Sequence, residues 1–175
     1  MSLASNTAFN QDGSSGIRLE EQLLNAAIVR ADISRGFEEY LEIFGAFYAE
    51  DIEVTGGTGE LIRGKARVRS LLLNFLIPLH VMAEIGGVST SIRGTSTPGD
   101  VPDETHSEWR LDLVGVSGRT CTLSWRTFRK WNGAYVIYEH HYDQQQTGGP
   151  LTLDDLGLDA ANLDDWSPEP AKVSS

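Results

Sequence analysis

Cysteine is nearly absent: Cys121 stands alone in 175 residues. A single thiol excludes an intrachain disulfide framework and cannot by itself supply a cysteine zinc site, so a reducing, cytoplasmic setting is expected. Cys121 itself reads as a small buried hydrophobe. Positive charge is also scarce, with 14 Lys and Arg against 25 Asp and Glu for a net charge of −11, and no Lys/Arg run occurs. A nucleic-acid binder needs a basic face to neutralise phosphates, so that class is excluded. No uninterrupted apolar run approaches the ~20 residues a membrane span needs, and the first sixteen residues lack a basic region followed by an apolar one. No membrane partner is expected. Neither Glu-x-x-His nor His-x-x-x-His spacing occurs, so no metal and no cofactor is expected.

The length suits one domain with tails. Residues 1–16 are small, polar and aperiodic, a flexible leader outside the core. The Gly-Gly-Pro at 148–150 stops regular structure, and residues 147–175 form an acidic tail with six Asp and Glu against Lys172. Its leucines, beginning at Leu151, are numerous enough to dock. Between the tails the hydrophobic period changes once. Residues 17–32 place Leu23, Leu24, Ala27, Ile28 and Ala31 on one helical stripe. A second helix, capped by Ser34, stripes Phe37, Tyr40, Leu41, Phe44, Phe47 and Tyr48. A short hairpin follows around the glycines at 56, 57 and 59. A third helix from Lys65 stripes Val68, Leu71, Leu72, Phe75 and Leu76 until Pro78 restricts it. From Val81 to Gln146 the pattern is β, broken near Thr97, Ser117 and Asn132.

Turn chemistry sets a strand register. Asn132-Gly133 reads as a two-residue type I′ turn, pairing Trp131 with Ala134. Arg126 then faces Glu139, Trp125 faces His140 and Thr127 faces Tyr138. For the preceding hairpin, a three-residue loop ending in Gly118 sets Trp109 opposite Trp125, Leu111 opposite Leu123 and Ser107 opposite Thr127. One concave face then carries Trp109, Trp125, Thr127, Tyr138, His140 and Tyr142, with Arg129 near its rim. His106, Glu139 and His141 fall on the other face, and a single β-bulge would exchange the faces beyond it. That outer face, with Phe128, Tyr135 and Ile137 among Arg126 and Lys130, is the expected homodimer surface.

Three helices with a small hairpin before the third, then long antiparallel strands, resemble the nuclear-transport-factor-2-like superfamily over residues 17–146. The local matches are Phe47 to Asp51, Leu61 to Gly64 with the helix behind it, and the block from Trp125 to Asp143, which is similar to the terminal hairpin of SnoaL-like polyketide cyclases. The resemblance implies an α+β fold in which a curved, mostly antiparallel sheet wraps a long helix as a cone with one pocket, in the order α-α-ββ-α-ββββ. It also implies where chemistry sits. Gly56 occupies the place of the ketosteroid-isomerase-like general-base aspartate. SnoaL-like cyclases carry a His and an Asp two residues apart on the final strand, and Tyr138 and His140 match those places. Scytalone-dehydratase-like members place a His just after the third helix, where His80 matches, and another on a following strand, where His106 would match if a bulge turned it inward.

The expected function is a small-molecule enzyme of cyclase, isomerase or dehydratase type, using acid/base chemistry on a hydrophobic, polycyclic or aromatic substrate. His140 and His80 would move protons, since imidazole titrates near neutrality, with Tyr48 as a phenolic acid or oxyanion donor. Trp109, Trp125, Thr127, Tyr138, Tyr142 and Arg129 would bind the substrate. The alternative is a non-catalytic ligand-binding or structural subunit of the same fold, resembling the small subunit of ring-hydroxylating dioxygenases.

Overall fold

The computed structural model describes residues 17–84, 88–149 and 151. The expected leader and almost all of the acidic tail lie outside the described residues. In chain order the elements are α1 (Leu19–Arg30), a 3₁₀ turn (Ile33–Arg35), α2 (Glu38–Phe47), β1 (Tyr48–Thr55), β2 (Leu61–Arg63), α3 (Lys65–Glu84), β3 (Ser89–Pro98), β4 (Glu104–Val114), β5 (Thr120–Asn132) and β6 (Tyr135–Thr147). The six strands form one sheet in the order β2-β1-β6-β5-β4-β3, antiparallel except for the parallel β1–β6 pair. The expected α+β architecture, with three helices and a curved sheet, is the one observed.

The β4–β5 hairpin follows the sequence reading. Trp109 pairs with Trp125, Leu111 with Leu123 and Ser107 with Thr127, and Gly118 takes positive φ at 81° to close the loop. Alternation of Trp109, Leu111 and Leu113 with Glu108, Arg110 and Asp112 on β4 favours that register.

The β5–β6 hairpin departs from it. Gly133 and Ala134 form the two-residue loop and Asn132 joins the strand, pairing with Tyr135. Positive φ is confined to Gly133 at 57°, the type II′ pattern rather than I′. A bulge then follows: Trp131 pairs with Val136 and Lys130 with Tyr138, leaving Ile137 as the extra residue. Beyond it Arg129 faces Glu139, Phe128 faces His140 and Thr127 faces His141. The faces of β6 are therefore exchanged relative to the expected ones. Tyr135, Val136, Ile137 and Tyr138 are consecutive large apolar or aromatic residues, so alternation could not choose between the two settings.

Helix boundaries are corrected too. Ser34 lies in the 3₁₀ turn, its backbone N–H and hydroxyl both bonded to Asp32, and α2 starts after Phe37. On α1 the buried face carries Glu21, Leu24 and Asn25, while Leu23 is exposed. Pro78 does not end α3, which runs on to Glu84. Its ring removes one backbone hydrogen bond, and because Pro78 and Asn74 are both exposed, the freed Asn74 carbonyl can turn to water. This continuation makes α3 long and apolar enough to cross a membrane by length and composition, with mean hydropathy 1.2 over a window of which 17% is buried.

Two apolar clusters fill the cone. One joins Leu24, Phe44, Tyr48, Ile52, Val54, Val68, Trp131 and Val136. The other joins Ile33, Leu76, Leu79, Val88, Leu111, Leu113 and Cys121, so Cys121 is buried as expected. On β3, Gly94 pairs with Trp109, and a Cβ built at Gly94 would lie 2.6 Å from the indole ring. That ring is in turn stacked on Trp125, with centroids 6.2 Å apart, and has no room to retreat. Gly94→Ala should therefore destabilise the fold by about 1–3 kcal/mol, the usual cost of overpacking, read as a lower urea midpoint with an unchanged m-value.

Candidate active site

Arg129 on β5 faces the interior and is 3% exposed. A guanidinium cannot shed its charge there, so it must be paired. Its Nε donates to Glu139 Oε2 at 2.6 Å. One terminal nitrogen donates to Glu21 Oε1 at 2.8 Å and to Asn25 Oδ1 at 3.1 Å. Glu139 comes from β6 and Glu21 and Asn25 from α1, so three elements meet on one cation. The remaining valences are also filled. Glu21 accepts from Thr105 Oγ1 at 2.9 Å and from the Ser107 hydroxyl. Asn25 Nδ2 donates to Ser107 Oγ at 2.9 Å and to Glu21 at 3.1 Å.

Tyr48 and His141 complete the set around Glu139. The Tyr48 hydroxyl donates to Glu139 Oε2 at 2.7 Å, and His141 Nε2 lies 2.9 Å from Glu139 Oε1. The other imidazole nitrogen, Nδ1, lies 3.3 Å from Thr127 Oγ1, the residue directly across the sheet. Burial alone would raise the Glu139 carboxyl, but Arg129, His141 and Tyr48 together outweigh it and hold it well below the usual carboxylate range. Burial and the Glu139 charge push the Tyr48 phenol well above its ordinary value. Burial would lower Arg129, yet the anionic groups around it raise it further. The ionic states are thus a fixed carboxylate, a fixed guanidinium and a neutral phenol.

These groups border a cavity of about 600 Å³ that is open to one side. Its walls are mainly apolar, from Leu24, Ile28, Phe44, Val68, Leu72 and Phe75, and Trp109 and Trp125 form one side. Arg129, Glu139, His141, Thr127 and Tyr48 supply the polar floor. The Arg129 guanidinium sits 5.8 Å from the Trp109 ring centroid, a cation–π distance. Among the described residues the buried Trp109 indole N–H has no acceptor. Among the described residues no three His, Cys, Asp or Glu side chains are grouped so as to hold a metal ion.

Of the residues expected in the pocket, Trp109, Trp125, Thr127, Arg129 and Tyr48 line it. Arg129 is not at an open rim but locked in the floor. Three others are corrected by the bulge: His140, Tyr138 and Tyr142 lie on the outer face. There the rings of His140 and Tyr142 are 5.5 Å apart, Tyr138 packs edge-on to Phe128, and Tyr142 meets His106. His106 stays on the outer face. His141, expected at the surface, lines the cavity instead, and Glu139 leaves the expected dimer surface for the interior. His80 does not line the cavity. It sits within α3, its Nδ1 2.7 Å from the Ile33 carbonyl and its Nε2 3.0 Å from Glu84, fixing the 3₁₀ turn against the helix.

Glu21, Asn25, Glu139 and His141 were missed. One signal for the last two was present: an inward Arg129 demands a buried counterion, and only the shifted register supplies Glu139 opposite it.

No family model matches the chain, and no curated protein matches it. Solved structures resemble it. One, named as a candidate polyketide cyclase from Xanthomonas campestris, is 18% identical over 71% of this chain and 90% of its own, with a TM-score of 0.50. An NTF2-like protein from Cytophaga hutchinsonii is 11% identical over 73% and 98%, at a TM-score of 0.49. A candidate SnoaL-like polyketide cyclase from Jannaschia is 12% identical over 75% and 89%, at 0.48. At such identities the likeness is one of fold.

The buried ion cluster makes two testable statements. Arg129→Met, which strands Glu21 and Glu139, should cost about 3–5 kcal/mol in urea unfolding. Because Glu139 sits below its unfolded value of about 4.5, the stability it contributes is complete above that pH and is lost as the pH falls through its folded value. Glu139→Gln should flatten this acid limb in a pH series of urea midpoints while lowering stability at pH 7.

Proposed function

Given a nuclear-transport-factor-2-like cone, we propose that this protein is an enzyme of cyclase, isomerase or dehydratase type that moves protons with His141 on a hydrophobic, ring-containing substrate. The observation that carries this reading is the Glu139–His141 pair, a carboxylate-oriented imidazole at the edge of a cavity of about 600 Å³. The pair sets an acid and a histidine two residues apart on the last strand, at Glu139 and His141, in the reverse of the SnoaL-like order and one residue on from Tyr138 and His140.

The fixed Glu139 carboxylate takes the Nε2–H of His141, which leaves the lone pair on Nδ1. In the resting state the Thr127 hydroxyl donates to that nitrogen. When His141 takes a substrate proton at Nδ1, the ring becomes imidazolium and the hydrogen bond reverses, with Thr127 Oγ1 accepting. Glu139 stabilises the cation, and the same proton is returned to another atom of the substrate or to its leaving group. Tyr48 stays protonated, so its part is to hold Glu139 rather than to exchange protons. Trp109 and Trp125, stacked with ring planes within 15° of parallel, offer an apolar wall for ring systems. Arg129 is spent on two carboxylates, so it anchors the floor and does not bind a substrate acid.

A second reading, a ligand-binding subunit without turnover, draws support from Thr127, which is fully buried and occupies His141 Nδ1.

Titration with flat hydrophobic compounds, including phenols, steroids and fatty acids, should change tryptophan fluorescence saturably, and Trp125→Leu should abolish the change. For a compound that turns over, His141→Ala should reduce kcat by about 10²–10⁴ with the fold retained, while His140→Ala stays near wild type. Binding without turnover of any bound compound would favour the second reading.

A further inference from the structure

Beyond His141 the last strand carries a second bulge. Arg126 pairs with Tyr142 and Ser124 with Gln145, so Trp125 faces two residues at once, Asp143 and Gln144. Asp143 takes a φ of 53°, the one positive value outside glycine among the described residues, and a left-handed first position is the mark of this bulge type. Its effect is an exchange of side chains. Counting by twos from the inward His141 would aim Asp143 into the cavity and Gln144 away from it. Instead Asp143 turns outward to Arg126, its Oδ2 3.4 Å from a terminal nitrogen, and Gln144 lines the cavity beside the exposed Leu71 and Phe75. A neutral amide thus stands at the mouth where regular alternation would set a carboxylate.

Two further observations single out that amide. Gly57, in the β1–β2 turn, keeps a φ outside the left-handed region, yet a Cβ built on it would fall no more than 2.6 Å from Cδ, Oε1 and Nε2 of Gln144. The backbone there does not require a glycine, and its bareness makes room for the amide. The amide itself makes no hydrogen bond among the described residues. Apart from the Trp109 indole N–H, the deeper polar groups of the wall are already committed: Arg129 to its carboxylates, Tyr48 and His141 to Glu139, Thr127 to His141, and the Tyr40 hydroxyl to the Ala31 carbonyl at 2.9 Å. Free hydrogen-bonding capacity is therefore left at the mouth, and there it is uncharged.

We infer that Gln144 determines specificity at the cavity mouth, its amide holding the neutral polar end (a hydroxyl, carbonyl or carboxamide) of a ligand whose apolar body fills the cavity. An amide both donates and accepts, so it can pair with each of these groups. An anionic end is disfavoured, because no uncommitted cation lines the cavity and a carboxylate desolvated without one is costly. Gln144 lies three residues past His141, at most about 10 Å along a strand, which sets the distance between the polar end and the atom that exchanges a proton. The inference rests on the proposed function only in taking the cavity as a ligand site, and it does not depend on turnover.

Three pyrenes that differ only at the end of a butyl chain test it: butylpyrene, pyrenebutanol and pyrenebutyrate, titrated into the full chain at neutral pH and followed by energy transfer from tryptophan to pyrene. The quantity compared between proteins is the affinity for the alcohol relative to the hydrocarbon, in which the contribution of the shared ring cancels. Gln144→Met keeps the length of the side chain and removes its hydrogen bonding, and it should lower that ratio by about three- to tenfold. Gly57→Ala crowds the amide from the opposite side and should lower it in the same direction. Both variants should keep a urea midpoint near that of wild type, since Gln144 is exposed and its flexible end can move aside. Wild type should bind the butyrate more weakly than the alcohol. An unchanged ratio in Gln144→Met overturns the inference, as does butyrate binding as tight as that of the alcohol; both leave the ligand cavity standing. Failure of all three pyrenes to bind wild type overturns the ligand cavity itself, and the inference with it.

Discussion

The arrangement of the cone turns on Arg129, a buried cation paired with carboxylates from a neighbouring strand and from the first helix. A guanidinium buried at the centre of a curved sheet costs several kcal/mol to desolvate, and it is tolerated only because carboxylates reach it from two directions. Glu139 holds it from the neighbouring strand and Glu21 from the first helix. The cation therefore fixes the β6 register, the rotation of α1 and the depth of the cavity floor together. Each carboxylate in turn is held by further groups, Tyr48 and His141 on one, Thr105 and Ser107 on the other.

This accounts for which parts of the fold were legible in the sequence. The β4–β5 hairpin could be read to the residue because alternation and the glycine at its turn agree. The face of α1 could not, because a helix with Glu21 and Asn25 on its buried side looks, by hydrophobic period alone, like one turned the other way. The residues that decide its orientation are polar, and their reason for being inside is a partner 108 positions away for Glu21. On β6, four large residues in a row carry no period, and the deciding contact is again Arg129. Sequence reasoning located the pocket wall through the tryptophans and Thr127, yet chose the wrong member of the histidine doublet, for the same cause.

The division of labour in the cavity follows from the same cluster. Groups with fixed charge, Arg129 and Glu139, are locked into structure and cannot exchange protons near neutrality. In the proposed mechanism the proton-carrying role falls to the half-buried imidazole between a permanent acceptor and a reversible hydroxyl. The rest of the wall is apolar, so selectivity among substrates would rest on shape and stacking more than on polar contacts.

The adjacent His140 and His141 give the β6 bulge a consequence for mutational drift. Because neighbouring strand residues point to opposite faces, a slip that draws Ile137 back into the ladder and flattens the bulge would still leave an imidazole aimed inward, with its twin aimed out. The histidine is thus duplicated against a slip, but the carboxylate is not. In the slipped strand the inward set becomes Tyr138, His140 and Tyr142, and Arg129 faces a phenol. What the lineage of this strand must preserve is the spacing of Glu139 from the bulge, and the imidazole follows.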